Sequence, residues 1–341
     1  VTFPGPLTFP GPYTFPGDFG IVPSRLLQVG VGLESVYGAA VAAAKLWPVT
    51  ACTAADRHAP IGDDSWRSAP GSSSGHRPGP ADATLSLGGP VLADTIGYPL
   101  VGLLGDISVA GGSAPFTASI AALNSGTLQP PSYTVATSDP ASGALAWPGC
   151  RFSQLVLTVT PDGLFTFTAA ADALPAVPAA TLNLAPSTVG VLASWRGVIT
   201  IGGTVEARCE SLTVTLTRAL SAKRNVDGSR APYVQRAGLV AVTGEAVVVM
   251  SADAYRAAYA AGTATSVDVS IGQGAGAGQT KVQLHCSSVT WLAAVRQYGQ
   301  RWVELELGWV ADQNAADVGA SGGLSPVKAT LINAVPGGTY K

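Results

Sequence analysis

Few residues in this chain could do chemistry: three histidines, four cysteines, one glycine-rich run ending in lysine, and one knot of five basic side chains. His58 and His76 fall in a stretch rich in Pro, Gly and Ser, while His285 precedes Cys286 on an expected strand and reads as a structural histidine. Cys52, Cys150, Cys209 and Cys286 are far apart and form no CxxC pair, so free buried thiols are expected, with a disulfide as the alternative and a zinc site disfavoured. The run GQGAGAGQTK (272 to 281) invites a phosphate-loop reading, but Lys281 does not follow the required glycine. Its flanks read strand to strand, where a phosphate loop needs a helix to present backbone donors. No GxSxG or HExxH pattern occurs. The expectation is therefore no enzyme, no catalytic or metal site, and no cofactor.

The basic knot is Arg218, Lys223, Arg224, Arg230 and Arg236, within RALSAKRNVDGSRAPYVQR. It reads as a long connection between two strands. One account is a solvated loop; the other is a loop that reaches an acidic partner such as the next copy of the same chain.

What positions these residues is a chain of 341 residues, 47% hydrophobic and 12% charged, with a formal net charge of −2. That is long enough for two ordinary domains. Charge is about half the usual share while glycine and proline are high, which favours short strands, turns and surfaces withdrawn from water. The near-neutral balance argues against a general nucleic-acid binder. No apolar run approaches the length of a membrane helix, and the first residues lack the pattern of a signal peptide. A start at Val1, with Met250 the sole methionine, suggests a removed initiator.

A repeat runs through the chain. Cys52 placed on Cys209 brings Tyr98 onto Tyr255 and Gly105 onto Gly262, in LSLGGPVLADTIGYPLVGLLG and VTGEAVVVMSADAYRAAYAAG. Each reads as a strand, then a short helix opened by Asp94 or Ser251 and closed by glycine. Cys150 placed on Cys286 aligns two hairpins whose turn glycines are Gly163 and Gly299. The change of offset between the two matches implies an insertion at about 106 to 148 in the first copy. In SLTVTLTR, Leu212, Val214 and Leu216 alternate with Thr213, Thr215 and Thr217, the mark of a strand with one buried face. The segment ESVYGAAVAAAKLW (34 to 47) is ambiguous, with helix propensity but an internal Gly38.

The expected architecture is mainly β: two tandem β-sandwich or barrel domains, each with one short α-helix, behind an extended arm. The boundaries are an arm at 1 to 20, a connecting segment at 21 to 48, copy one at 45 to 175, a linker at 176 to 189, and copy two at 190 to 341. The arm repeats VTFPGP, LTFPGP and YTFPGD, with Phe3, Phe9 and Phe15 each directly before a proline. Proline excludes helix and central strand, leaving an extended path that reaches about 55 Å over eighteen residues. Burying three Phe returns about 5 to 9 kcal/mol against an ordering cost of roughly 1 to 2 kcal/mol per residue. The arm is either a loose tail or a clasp whose Phe anchors grip a neighbouring subunit.

Taken together, VGLESVYGAAVAAAKLWPV, TIGYPLVGLLG, the two hairpins, and above all DVGASGGLSPVKATLINAVPGGTY resemble the long-form tail tube (major tail) proteins of siphophages, which carry a duplicated tube domain. The resemblance covers most of residues 29 to 341 and leaves out the TFPG repeats. It implies a virion tail protein, assembled in the bacterial host cytoplasm, that polymerises into stacked rings around a channel crossed by DNA. Two copies per chain would give three-chain, pseudo-sixfold rings, with tape measure, tail terminator and baseplate proteins as partners. On that reading Thr158, Thr160, Thr166, Thr168, Glu304 and Glu306 are candidates for the channel wall, which should pass DNA without specific binding. A β-rich adhesin, or a capsid decoration or baseplate protein, is the alternative.

Overall fold

The computed structural model describes residues 24–68, 71–140, 143–250, 253–298 and 302–341. The arm with Phe3, Phe9 and Phe15 lies outside the described residues, as do Ser251 and Gly299. In chain order the first half contains β1 (Gln28–Leu33), β2 (Lys45–Leu46), β3 (Ala51–His58), β4 (Ile61–Gly62), β5 (His76–Arg77), β6 (Ala81–Pro90), α1 (Gly97–Leu104), β7 (Gly105–Ala110), β8 (Phe116–Ala122), β9 (Tyr133–Asp139), β10 (Gly143–Val159), β11 (Thr166–Ala173) and β12 (Val177–Ala179). The second contains β13 (Val198–Ile201), β14 (Thr204–Val205), β15 (Cys209–Lys223), β16 (Val234–Val249), α2 (Ala254–Ala261), β17 (Thr265–Gln273), β18 (Thr280–Gln297), β19 (Glu304–Ala311) and β20 (Lys328–Asn333). The fold is mainly β with two α-helices, as the sequence predicts.

The strand pairings repeat. Four strands of the first half lie in the order β3, β6, β11, β10, and four of the second in the order β15, β16, β19, β18. The two sets are joined edge to edge by β10 and β15, giving one antiparallel sheet of eight strands. Both β10 and β18 are long enough to serve two sheets. The N-terminal part of β10 pairs with β9 and β12, and β9 continues to β1 and β2. The N-terminal part of β18 pairs with β17 and β20, and β17 continues to β13 and β14. Bulges at Phe152/Gln154 and Trp291/Ala293 let each long strand bend between its two sheets.

Alternation explains the core. Leu155, Leu157, Leu212, Val214 and Leu216 are each at most 3% exposed, and burial of each such side chain contributes about 1.5 to 3 kcal/mol. Trp47 stacks on Phe167 at 5.6 Å, and Tyr98 of α1 meets Tyr133 and Tyr340 edge-on at 5.7 and 5.0 Å. Gly244 lies under the Trp309 indole, so close that an added Cβ would collide with the ring. Gly244→Ala is therefore expected to lower unfolding free energy by about 1 to 3 kcal/mol in urea titrations, the range for overpacking.

Several local expectations are corrected. Both helices do end on left-handed glycines, Gly105 and Gly262, but their first positions follow Ile96 and Asp253, with no side-chain cap among the described residues. Asp94 does not cap; it accepts from Ser187 Oγ at 2.8 Å and pairs with Lys45 Nζ at 2.8 Å. Residues 34 to 47 form no helix: Gly38 has φ +76° and Lys45–Leu46 is strand. Glu34 fixes this segment instead, accepting from Ser132 Oγ, Thr134 Oγ and the amides of Gly38 and Gly149 at 2.7 to 2.9 Å.

The residues without counterpart in the second half are also fewer than 106 to 148. β9 and the start of β10 match β17 and the start of β18, which leaves the β7–β8 hairpin as the addition. That hairpin crosses to the second half, pairing β8 with β20. The C-terminal phrase returns the exchange. Asn333 Nδ2 donates to Ala93 O at 2.6 Å, Tyr340 Oη donates to Asp94 O at 3.1 Å, and Tyr133 Oη donates to Tyr340 O at 2.8 Å.

Candidate self-assembly surface

The eight-stranded sheet has one apolar face, packed into the core, and one polar face. On the polar face Thr166, Thr158, Thr213, Glu245 and Gly308 are successive cross-strand partners. The next row is Gly88, Thr168, Val156, Thr215, Thr243 and Val310. Glu304 and Glu306 alternate with buried Leu305 and Leu307, so they share this face, and Thr160 is exposed just beyond the end of β10. Thr158, Thr166, Thr168, Glu304 and Glu306 therefore stand on one side of one sheet, with Thr160 just beyond it. The sequence candidates omitted Glu245, Thr213, Thr215, Thr217 and Thr243, although the Thr alternation of β15 was the signal for three of them.

Among the described residues the strand pairings of this sheet do not return on themselves within one chain. β3 pairs with β6 on one side alone, and residues 290 to 297 of β18 pair with β19 on one side alone, among the described residues. Burial follows this. Where β10 meets β15 both strands alternate between buried and half-buried, whereas β3 alternates between exposed and half-buried and then becomes exposed from Ala55 to His58. A free edge with unpaired backbone donors and acceptors is a template for another strand. Sequence reasoning missed both edges.

The five basic residues divide into three situations. Arg218 and Lys223 lie on β15 and Arg236 on β16, so the connection between the strands is shorter than the sequence suggests. Arg218 is 5% exposed and donates to Leu103 O, Leu128 O and Gly238 O at 2.5, 2.6 and 2.9 Å. Burial, with Arg151 nearby, pulls its guanidinium down to about 10, leaving it charged at neutral pH. Arg224 pairs with Asp82 at 2.7 Å, and Arg230 donates to Gly79 O at 2.7 Å, folding the hairpin tip onto the approach to β6. Lys223 and Arg236 remain exposed and form no ion pair among the described residues.

Of the thiols, Cys150 and Cys286 are buried and Cys52 and Cys209 half-buried, all free. Burial pushes every one upward, Cys209 to about 11, so none is a ready nucleophile near neutral pH. His285 Nδ1 lies 3.0 Å from Asp268 on the neighbouring strand, and His76 sits on β5. The 272 to 281 loop is the turn of the β17–β18 hairpin, with Gly274 at φ +76°.

The edge of β18 is tied to α2. Arg296 donates to Asp253 at 2.7 Å and Arg256 donates to the same carboxylate. These hydrogen bonds hold Asp253 down to about 2. Because the folded value lies below the usual carboxylate range, the stabilisation is complete above about pH 4 and is lost as pH falls toward 2. Hydrogen-exchange protection of α2 amides is expected to fall across that window, and Asp253→Asn to show the loss at neutral pH.

A family model described as phage tail tube protein matches residues 24–331. No curated protein matches the chain.

Proposed function

The chain belongs to the phage tail tube protein family, and from that premise we propose that it polymerises into stacked three-chain rings forming the hollow conduit for DNA delivery. The observation that carries this reading is the pairing of β10 with β15. It joins the last strand of one four-stranded set to the first strand of its repeat, and the two free edges, β18 and β3, are the same two strands in the other copies. Three chains joined by that contact would give a barrel of three times eight strands. At roughly 4.8 Å between strands and a tilt near 40°, its diameter is about 50 Å between opposite backbones. Closing the barrel leaves no edge, which stops lateral growth while rings still stack end to end.

The threonine and glutamate face becomes the channel wall, with Thr158, Thr160, Thr166, Thr168, Glu304 and Glu306 on it. Polar, neutral-to-acidic lining lets a polyanion pass without being held. Exposed Lys223 and Arg236 act at the junction between rings, together with the tip bearing Arg224 and Arg230. The arm, through Phe3, Phe9 and Phe15, clasps a neighbouring subunit. A tape measure protein would occupy the lumen during assembly in the host cytoplasm, with terminator and baseplate proteins at the ends.

The primary test is assembly. Purified protein held at rising concentration and salt is pelleted and viewed by negative stain; hollow tubes support the reading, and monomers alone under every condition contradict it. A second expected result concerns the wall. Replacing Glu245, Glu304 and Glu306 with lysine should leave tubes intact but make them retain duplex DNA at low salt and release it as salt rises, measured by co-sedimentation.

A further inference from the structure

We propose that ring closure uses one defined strand register, in which Ala294 of one chain lies opposite Asp56 of a second copy. The inference rests on the tube reading and adds the residue-level seam. It follows from the internal repeat by a walk through observed pairs. β11 and β19 have eight residues each and bury alternate ones, so Ala169 corresponds to Leu307. Leu155 pairs with Ala169 and Ala294 with Leu307, so Leu155 corresponds to Ala294. On the other side Thr166 pairs with Pro90 and Glu304 with Val249, which places Ala83 on Val242. Asp56 pairs with Ala83 and Leu216 with Val242, so Asp56 corresponds to Leu216, three residues beyond the position that the sequence match of Cys52 with Cys209 gives. Inside the chain, Leu155 pairs with Leu216. The same contact between chains is therefore Ala294 with Asp56, Arg296 with Ala54, and Val295 with Ala55.

The side chains fit that register. Each charged residue meets an alanine, and Arg296 lies diagonal to Asp56, within reach of a cross-strand interaction. The internal seam is apolar, Leu155 and Leu157 against Leu216 and Val214, whereas the closing seam is small and polar. Edges that must stay in water before assembly are built this way.

An independent observation concerns the helices. α1 is buried along its whole length and receives Arg218 of β15 at its last turn. α2, its repeat, has no buried residue, and Tyr259 is 41% exposed. β10 and the β7–β8 hairpin cover most of α1; β3 of the next chain, the counterpart of β15, would reach the last turn of α2 as β15 reaches that of α1 through Arg218.

The experiment is disulfide trapping in a Cys52→Ser background. Ala55→Cys with Val295→Cys, both at exposed positions, is compared with Val295→Cys combined with Thr53→Cys or Ala51→Cys, which report slips of two and four residues. Tubes carrying the 55/295 pair should give covalent trimers on denaturing gels at least tenfold more than either slipped pair. If the 55/295 variant does not assemble, Thr53→Cys with Gln297→Cys tests the same register and should cross-link equally. Tubes that cross-link best at a slipped pair, or not at all, overturn the register while leaving the tube reading standing. Absence of tubes from the parent protein overturns both.

Discussion

Replacing Ala54 with lysine should leave the isolated chain folded and abolish tubes. Ala54 is half-buried on the free strand β3 and packs against the rim of the core, where a lysine stem can lie along the apolar rim and bring its ammonium to water at the open edge, so unfolding in urea should shift by about 1 kcal/mol. In the assembled ring the same position corresponds to Val214, which is 3% exposed. There the new cation would be buried opposite Arg296 of the neighbour. Burying a further cation beside Arg296, where Asp56 and Asp253 are the carboxylates in reach, costs on the order of a few kcal/mol per seam, and a three-chain ring has three seams. Circular dichroism melts with a parallel pelleting assay check both halves of this result; tubes at parental yield would contradict it.

Arg218→Ala should do the reverse and damage the monomer itself. Its guanidinium bonds Leu103 and Leu128 of the first half and Gly238 of the second, so one side chain of β15 ties both halves together. Truncation removes three charge-assisted hydrogen bonds and leaves buried carbonyls without donors, a loss of about 3 to 5 kcal/mol. Arg218→Lys should recover part of it, since an ammonium cannot span all three acceptors. Urea unfolding of the three proteins checks the order; an alanine variant within about 1 kcal/mol of the parent would show that the bonds are replaced by water.

These two residues mark what the sequence could and could not reveal. The alternation of Leu212, Val214 and Leu216 with threonines was legible because a half-buried strand imposes period two on its own residues. The glycine stops of both helices were legible for a similar reason, since Gly105 and Gly262 adopt a conformation that other residues resist. Arg218 was not, because a buried arginine and a solvated one look alike in a run of basic residues; the acceptors that decide between them lie on distant segments. The β8–β20 pairing and the two free edges were likewise illegible, being properties of which strands meet across more than a hundred residues. Asp94 showed the same limit on a smaller scale: its local cue as a helix cap lost to the more distant Lys45 and Ser187.

On the proposed assembly one chain is a third of a ring. Electron microscopy of assembled tubes, with class averages viewed down the long axis, tests it most directly. A hollow ring with six similar wall segments contributed by three chains is expected, alternate segments differing by the added β7–β8 hairpin. Six full-length chains in one ring would contradict it, because the β10–β15 seam could not then be the model for ring closure.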